Sequence, residues 1–237
     1  MTIAVIEKVR RLQRAGTLGL AVKGEIGDWI STLGERLGSD RLVYNAWTYA
    51  GFHRAALEAA PTMVAGILEL WPEIRSAVDL GCGTGVYVRE LRARGVDVRG
   101  YEYDAKARRI AREKLDIEIA PFDLRAFVGT GRRTDLAMSL EVAEHLPPEL
   151  GDRLVAACCS SAPRVVFSAA HPGQRGQGHI NLQPREYWIE RFRRHDFVFD
   201  TRKTEALQAY LRARLVRGFW LAENVGAYAG LTSAVRS

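Results

Sequence analysis

A glycine-rich turn constrains the fold of this chain more than any other feature. Residues 77–80 read Ala-Val-Asp-Leu, an apolar strand, and residues 81–85 read Gly-Cys-Gly-Thr-Gly before a helical pattern begins. Glycines let the backbone turn tightly and approach a ligand closely. The helix that follows offers unpaired N–H groups and a partial positive charge at its N-terminus. The segment therefore predicts a strand–turn–helix unit that receives a carboxylate or a phosphate.

From residue 76 onwards, short apolar strand candidates alternate with helical stretches. This alternation predicts βαβ units and a doubly wound, Rossmann-like α/β fold, with a mostly parallel sheet and helices on both faces. The strand candidates are 76–80, 97–102, 117–120, 135–140, 164–169, 197–200 and 224–229, and the helix candidates are 86–94, 105–115, 148–160, 184–194 and 203–216.

The first part of the chain has a different pattern. Residues 2–14, 28–38 and 53–70 have helical periodicity, and Pro61 is expected to open the second half of the last stretch because proline is tolerated in a first helical turn. We predict an N-terminal helical cap over residues 1–75 and an α/β domain over residues 76–237.

Composition narrows the class of protein. The 237 residues suit one domain with a small appendage, and no apolar run approaches the roughly 20 residues that span a bilayer. The N-terminus lacks a secretory pattern. The net charge of +6 permits an anionic substrate or nucleic acid without requiring either. Cys82, Cys158 and Cys159 lack zinc-ligand spacing, so we expect reduced thiols in a cytoplasmic protein.

Two classes of ligand compete for the glycine-rich turn. A dinucleotide site needs G-x-G-x-x-G/A, and Val86 occupies its last position, which disfavours a dehydrogenase. The run from Asp79 to Gly85 instead resembles the first motif of the class I S-adenosylmethionine-dependent methyltransferases, and the resemblance extends over about residues 75–200. It implies that Asp79 helps to hold the cofactor's ammonium group and that the turn wraps its methionine part through Gly81, Cys82, Gly83 and Gly85.

The next two motifs follow strands two and three. Glu102 ends the second strand, where a carboxylate can accept both ribose hydroxyls. The resemblance places Tyr103 beside it, and Asp104 is expected to N-cap the following helix.

After the third strand, the resemblance implies that Asp123 takes the adenine amino group. Phe122 or Leu124 would then pack on the adenine ring.

The exit of the fourth strand carries a second chemical signal. The resemblance brings the backbone of Ser139 and Leu140 near the sulfonium. The E-x-x-E-H run of Glu141, Glu144 and His145 could hold Mg²⁺ or another divalent ion. The run resembles ubiquinone-type O-methyltransferases and small-RNA 3′-terminal 2′-O-methyltransferases, which use a metal. The RNA enzymes need a further histidine after the fifth strand, where His171 or His179 could serve, although the surrounding residues do not match them. Alternatively, the E-x-x-E-H run only shapes the cofactor loop.

A polar, glycine-rich segment follows the fifth strand. His171 and His179 lie in it, and with His145 they are the candidate general bases, because an alcohol must lose a proton as it attacks a methyl group. We therefore expect O-methylation of a small molecule such as a sugar, a phenol or a secondary-metabolite intermediate. N-methylation, RNA 2′-O-methylation and a non-catalytic cofactor-binding role are the alternatives. Nucleic acid is not the expected partner, and the oligomeric state is left open.

Overall fold

The structure is a computed structural model that describes residues 32–34, 37, 46–127, 129–174, 176–216 and 218–231. The predicted helix at 2–14 lies outside these residues, and only residues 32–34 and 37 of the stretch 28–38 are described, in helical conformation. The chain divides into two compact units, residues 1–52 and 53–237. Residues 53–75 thus belong to the larger unit, and the division of the chain at residue 75 stays a prediction.

The elements alternate as the sequence predicts, except that the short helix Phe219–Asn224 was not expected. A 3₁₀ turn, Ala143–His145, lies between the fourth strand and the fourth helix. The bounds are α1 Ala46–Leu70, β1 Ser76–Leu80, α2 Val86–Ala93, β2 Asp97–Glu102, α3 Ala105–Leu115, β3 Ala120–Pro121, β4 Leu136–Leu140, α4 Pro148–Ser161, β5 Arg164–Ser168, α5 Arg185–Arg193, β6 Phe197–Phe199, α6 Thr201–Arg214, α7 Phe219–Asn224 and β7 Gly226–Gly230.

The strands form one sheet in the order β3-β2-β1-β4-β5-β7-β6 within the described residues. β1 pairs in parallel with both β2 and β4, and Asp79 lies opposite Gly100 on one side and Met138 on the other. β7 alone runs antiparallel, between β5 and β6. The mostly parallel, doubly wound sheet is therefore confirmed, and its order reverses between β1 and β4.

Helices cover both faces of the sheet, as predicted. Side chains alternate along each strand, so Ala77 points to one core and Val78 to the other. The core on the first face includes residues of α1, α2, α3, α6 and α7, and the core on the second includes residues of α4 and α5.

Several bounds differ from the prediction. α1 runs continuously through Pro61, where the sequence predicted a new start. β3 is reduced to two residues. α6 begins at Thr201 because the Asp200 side chain accepts a hydrogen bond from the Lys203 amide at 2.9 Å, an N-cap. Within the described part of the chain, no helix is both long and apolar enough to cross a membrane.

Candidate active site

The candidate site lies at the carboxyl edge of the sheet, around the point where strand order reverses. Open α/β sheets bind ligands in the crevice at this position. β1, β2 and β4 end here, so the topology brings together Asp79, the glycine-rich turn, Glu102 and the exit of β4. These are the residues that the sequence predicted for the cofactor and the transfer chemistry.

The glycine-rich turn needs glycine for two physical reasons. Gly81 has φ +80°, and a Cβ there would come within 2.7 Å of the Val142 side chain. Gly85 has φ +76°, and its Cβ would come within 2.8 Å of Ile119. The amides of Gly81 and Cys82 donate to the Tyr101 carbonyl at 2.8 and 3.0 Å. The turn is therefore held against β2 and against the exit of β4.

Asp79 is a buried carboxylate at the end of β1. Its Oδ2 has no hydrogen-bond partner among the described residues. Burial, together with the nearby Glu102 carboxylate, raises the pKa of Asp79 to about 7. Such a group is suited to a cationic partner, because an ammonium would both satisfy the oxygen and stabilise the charge.

Glu102 joins β2 to the glycine-rich turn. Its Oε2 accepts the amide of Gly83 at 2.9 Å and its Oε1 accepts the amide of Asp104 at 2.8 Å. Burial raises the pKa of Glu102. Each carboxylate oxygen has two lone pairs, so each can also accept a hydroxyl. Asp104 accepts from the Lys106 amide at 2.6 Å and caps α3, as predicted.

The region predicted to receive adenine contains an ion pair that the sequence did not indicate. Asp123 accepts from Arg125 through both carboxylate oxygens at 2.8 Å, and Arg125 also donates to the Tyr103 hydroxyl at 2.8 Å. The Asp123–Arg125 hydrogen bonds lower the pKa of Asp123. Phe122 and Leu124 are both buried in the core on the second face of the sheet.

At the exit of β4, the predicted residues separate into two groups. Ser139 is buried, and its hydroxyl donates to the Leu80 carbonyl at 2.9 Å, which ties β4 to β1 beside Leu140. Glu141 takes a left-handed conformation with φ +55°. Its carboxylate accepts from Asn224 Nδ2, with 3.2 Å to each oxygen. Glu141 is therefore hydrogen-bonded to Asn224, which lies 83 positions later in the chain.

Glu144 instead joins two histidines. One ligand atom from each of Glu144, His145 and His179 lies within 4.8 Å of the others. Glu144 is fully buried, and neither of its carboxylate oxygens has a hydrogen-bond partner among the described residues. Burial and the Glu141 charge raise the pKa of Glu144. The sequence predicted a metal cluster of Glu141, Glu144 and His145; the structure brings His179 to it in the place of Glu141.

The tautomers of the two histidines follow from their partners. His145 Nδ1 lies 3.1 Å from the Gly178 carbonyl oxygen, and His179 Nδ1 lies 3.3 Å from the Gln174 carbonyl oxygen. A carbonyl can only accept, so both rings carry the proton on Nδ1 and the lone pair on Nε2. Burial and the neighbouring His179 lower the pKa of His145 to about 4, which keeps His145 neutral.

His171 does not belong to this group. Its amide donates to the Gln174 side chain at 2.8 Å. Burial lowers the pKa of His171, and the positive charge of Arg185 lowers it further. The negative charges of Glu186 and Glu223 act in the opposite direction.

Four further residues were missed by the sequence analysis. His53 Nδ1 lies 2.8 Å from the Thr84 hydroxyl oxygen, so α1 contacts the glycine-rich turn. Burial of the phenol raises the pKa of Tyr87, a partly buried residue, and the charges of Asp79 and Glu141 act in the same direction. Gln174 and Asn224 carry no local motif, since their partners are distant in sequence, and only tertiary structure reveals them.

Comparisons with known proteins agree with the fold. Residues 52–201 match the family model described as a methyltransferase domain. The chain therefore belongs to the methyltransferase domain family, and with its cofactor motifs and sheet order it is a class I S-adenosylmethionine-dependent methyltransferase.

One curated relative and two solved structures illustrate the relationship. The ubiquinone biosynthesis O-methyltransferase of Methylobacterium sp. (strain 4-46) is 32% identical over 98 residues, which are 39% of this chain and 39% of that protein. The chain thus matches well under half the length of this relative.

One similar structure is that of SAM-bound CalS10, an amino pentose methyltransferase from Micromonospora echinaspora. It superposes with a TM-score of 0.59 at 15% identity, and the match covers 76% of this chain and 95% of that one. The sugar N-methyltransferase KedS8 from Streptoalloteichus sp. superposes with TM-score 0.54 at 18% identity and covers 77% and 92%. At these identities the two structures support the assignment of the fold alone.

Proposed function

We propose that this protein transfers the methyl group of S-adenosylmethionine to a hydroxyl of a small molecule. The observation that carries the proposal is the cluster of Glu144, His145 and His179 at the same sheet edge as the predicted cofactor residues. A sugar, a phenol or a secondary-metabolite intermediate is the expected class of acceptor.

The charges at the site support a cationic cofactor. Asp79, Glu102, Glu141 and Glu144 all lie at the carboxyl edge, and the pKa of each is raised, chiefly by burial. S-adenosylmethionine carries a sulfonium and an ammonium, so it would relieve this excess of negative charge, whereas the diphosphate of a dinucleotide would add to it.

Five of the predicted cofactor residues have roles that their geometry supports. Asp79 offers an oxygen with no partner among the described residues to the ammonium, and Glu102 offers lone pairs to the ribose hydroxyls. Asp123 would share its carboxylate between Arg125 and the adenine amino group. Ser139 and Leu140 hold the backbone at the point where the methyl group would face the acceptor.

In the transfer step, the acceptor oxygen forms a bond to the methyl carbon while the carbon–sulfur bond breaks and its electron pair stays on sulfur. When bound, S-adenosylmethionine supplies the activated methyl group, so the protein must align the reactants and remove the hydroxyl proton. His179 is the proposed base, because its lone pair is on Nε2 and its ring lies beside His145 with the centroids 4.9 Å apart. With a pKa of about 4, His145 is a weaker base.

The same three side chains also fit a divalent cation. A buried carboxylate with no hydrogen-bond partner among the described residues, beside two imidazoles whose Nδ1–H groups are held by backbone carbonyls, is the arrangement that metal-ligating histidines adopt. Glu144, His145 and His179 would hold the ion, which would supply Lewis-acid activation of the acceptor hydroxyl. With an ion bound, His179 would serve as a ligand rather than as the base.

N-methylation is the nearest alternative. Two structures with the same fold are an amino pentose methyltransferase and a sugar N-methyltransferase, whereas the curated relative is an O-methyltransferase. The histidines favour the hydroxyl, since an amine attacks without first losing a proton. Net charge is the only support for an RNA acceptor beyond the E-x-x-E-H run, so nucleic acid is not the proposed partner.

The first experiment is calorimetric titration with S-adenosylhomocysteine, followed by an acceptor screen with S-adenosylmethionine over hydroxylated and aminated small molecules. We expect micromolar binding, and turnover on a hydroxylated acceptor that is lost in His179→Gln. A folded sample that does not bind S-adenosylhomocysteine would contradict the cofactor assignment. Turnover on amines alone would replace O-methylation by N-methylation.

A further inference from the structure

We infer that Gln174 and Asn224 are positioning residues that hold His179 at the active site through a hydrogen-bonded chain anchored on Glu141. The inference rests on the proposed role of His179. The chain runs from the exit of β4, through the end of α7, to the segment that follows β5.

The direction of every hydrogen bond in this chain is fixed by its two ends. An ionised Glu141 carboxylate can only accept, and the His171 amide at the other end can only donate, so the amide group of Asn224 must turn its Nδ2 toward Glu141, with 3.2 Å to each oxygen. Asn224 Oδ1 then faces Gln174 and accepts from its Nε2 at 3.0 Å. This leaves Gln174 Oε1 to accept the His171 amide at 2.8 Å. Neither amide can flip without setting like groups against each other.

Gln174 connects this chain to the histidine. Its carbonyl accepts the Nδ1–H of His179 at 3.3 Å, while its own amide donates to the His171 carbonyl at 3.0 Å. A Cβ at Gly176 would clash with the His179 ring, so the ring lies directly against the backbone of this segment. The orientation of His179 therefore depends on where Gln174 holds the backbone.

Both ends of the support are held by further hydrogen bonds. Asn224 is buried at the end of α7, and the buried Gln208 side chain donates to the next carbonyl along, that of Val225, at 3.0 Å. On the other side of the histidine, the amides of Ile180 and Asn181 both donate to the Glu144 carbonyl, at 2.9 and 3.0 Å. His179 thus lies between two anchored segments. The segment at Ile180 and Asn181 is held by backbone hydrogen bonds, whereas the segment at Gln174 is held by side-chain hydrogen bonds.

This arrangement explains why Glu141 does not join the cluster of Glu144, His145 and His179. Its carboxylate is the terminal acceptor of the chain, and its amide donates to the Ser168 hydroxyl at 3.0 Å, which fixes the residue to β5. The two glutamates of the E-x-x-E-H run therefore have different partners. Glu141 holds the segment around Gln174 through Asn224, and Glu144 lies beside His145 and His179.

The test follows the tautomer of His179 by ¹⁵N–¹H correlation spectroscopy of the histidine rings at about pH 8.5, well above the ordinary histidine pKa of about 6.5. In the wild-type protein we expect the Nδ1–H form, imposed by the Gln174 carbonyl, although a free imidazole in water favours the Nε2–H form. His179→Gln identifies the signal by its loss.

Three variants interrupt the hydrogen-bonded chain in different ways. Gln174→Ala removes the central amide, Asn224→Ala removes the link to Glu141, and Asn224→Asp keeps the shape but sets a carboxylate against Glu141. In each variant we expect His179 to shift toward the Nε2–H form. Gln183→Ala is the matched control, because its amide in the same segment donates only to Asn181 Oδ1 at 3.0 Å among the hydrogen bonds observed; it should keep the wild-type signal.

S-adenosylhomocysteine affinity is the second readout. It reports on Asp79, Glu102 and the glycine-rich turn, whereas the observed hydrogen bonds of the Gln174 side chain go to His171 and Asn224, so Gln174→Ala should retain it to within about threefold and thereby demonstrate an intact fold. An unchanged Nδ1–H signal of His179 in all three variants would overturn the inference. Failure of the wild-type protein to bind S-adenosylhomocysteine would instead overturn the proposed function, since the tautomer experiment needs neither cofactor nor acceptor.

Discussion

The backbone amide of Gly83 donates to Glu102 Oε2 over 2.9 Å, so the carboxylate proposed to bind ribose also holds the glycine-rich turn in place. The two parts of the proposed cofactor site are therefore mechanically linked. A change at Glu102 acts on the ribose contacts and on the shape of the turn at once.

Glu102→Gln should weaken S-adenosylhomocysteine binding by about 10- to 100-fold, because hydrogen bonds to a charged acceptor contribute about 1.5–3 kcal/mol. Isothermal titration calorimetry measures the loss directly. Glu118→Gln is the matched control, since Glu118 is exposed and pairs only with Arg112 among its described contacts. Equal affinities for the Glu102 variant and the control would contradict the ribose assignment.

Cofactor affinity should depend on the ionisation of Asp79. Its pKa in the folded protein is about 7, above its ordinary value of 3.8, and the ammonium of the cofactor binds only the ionised form. The dissociation constant of S-adenosylmethionine is therefore expected to rise below pH 7, by up to about tenfold per pH unit. Titrations from pH 8 to pH 5.5 test this, and a profile that is flat in the wild-type protein would refute it.

Asp79→Asn should stabilise the ligand-free protein while removing its affinity for the cofactor. A carboxyl whose pKa is raised on folding favours the folded state at low pH, and that advantage is lost as pH rises from the unfolded-state pKa through about 7. At pH 8 the asparagine avoids this cost, and we expect a gain of about 2 kcal/mol, or roughly 4–8 °C in Tm. Thermal unfolding at pH 8 and pH 5 checks the sign, since the gain should shrink at the lower pH.

Two glycines of the turn should differ in their tolerance of alanine. Gly81 and Gly83 both have positive φ, +80° and +56°, but only at Gly81 would a Cβ meet a neighbour, Val142 at 2.7 Å. Gly83→Ala adds backbone strain alone, about 1 kcal/mol, whereas Gly81→Ala adds a clash and should cost about 2–4 kcal/mol. Chemical denaturation of both variants measures the difference, and equal losses would show that the contact with Val142 relaxes freely.

Metal binding by Glu144, His145 and His179 should be visible with Co²⁺ as a spectroscopic probe. Glu144→Gln and His179→Gln should each weaken Co²⁺ binding by about 10-fold or more, because each removes or weakens a ligand. His171→Gln is the control, since that ring lies outside the cluster. If the wild-type protein gives no Co²⁺ absorption bands and keeps full turnover in a chelator, His179 acts as the base without a metal.

Local sequence signals predicted the part of the site that is built from neighbouring residues. The strand–turn–helix unit around Gly81, the carboxylate at the end of β2 and the Asp104 cap all depend on a few consecutive residues, and the structure has them within one residue of the expected bounds. The alternation of strands and helices likewise predicted the doubly wound sheet, because each βαβ unit buries its own apolar faces.

The rest depends on contacts between distant segments. His179 reaches Glu144 across 35 positions, and Asn224 reaches Glu141 across 83 positions. No spacing rule connects such residues, since loop geometry decides which side chains meet. The E-x-x-E-H run illustrates the difference: its three-residue spacing predicts that the two glutamates act together, whereas Glu141 bonds to Asn224 and Glu144 lies with two histidines.

The antiparallel strand β7 lies between β5 and β6, although it is the last of the described strands in the sequence. During synthesis, β1 to β5 can therefore pair as they leave the ribosome, and the glycine-rich turn can form with them. β6 must wait for a partner until β7 has been made. Asn224 lies two residues before β7, so its hydrogen bonds to Glu141 and Gln174 are among the last of the described contacts to form, after the glycine-rich turn has been made.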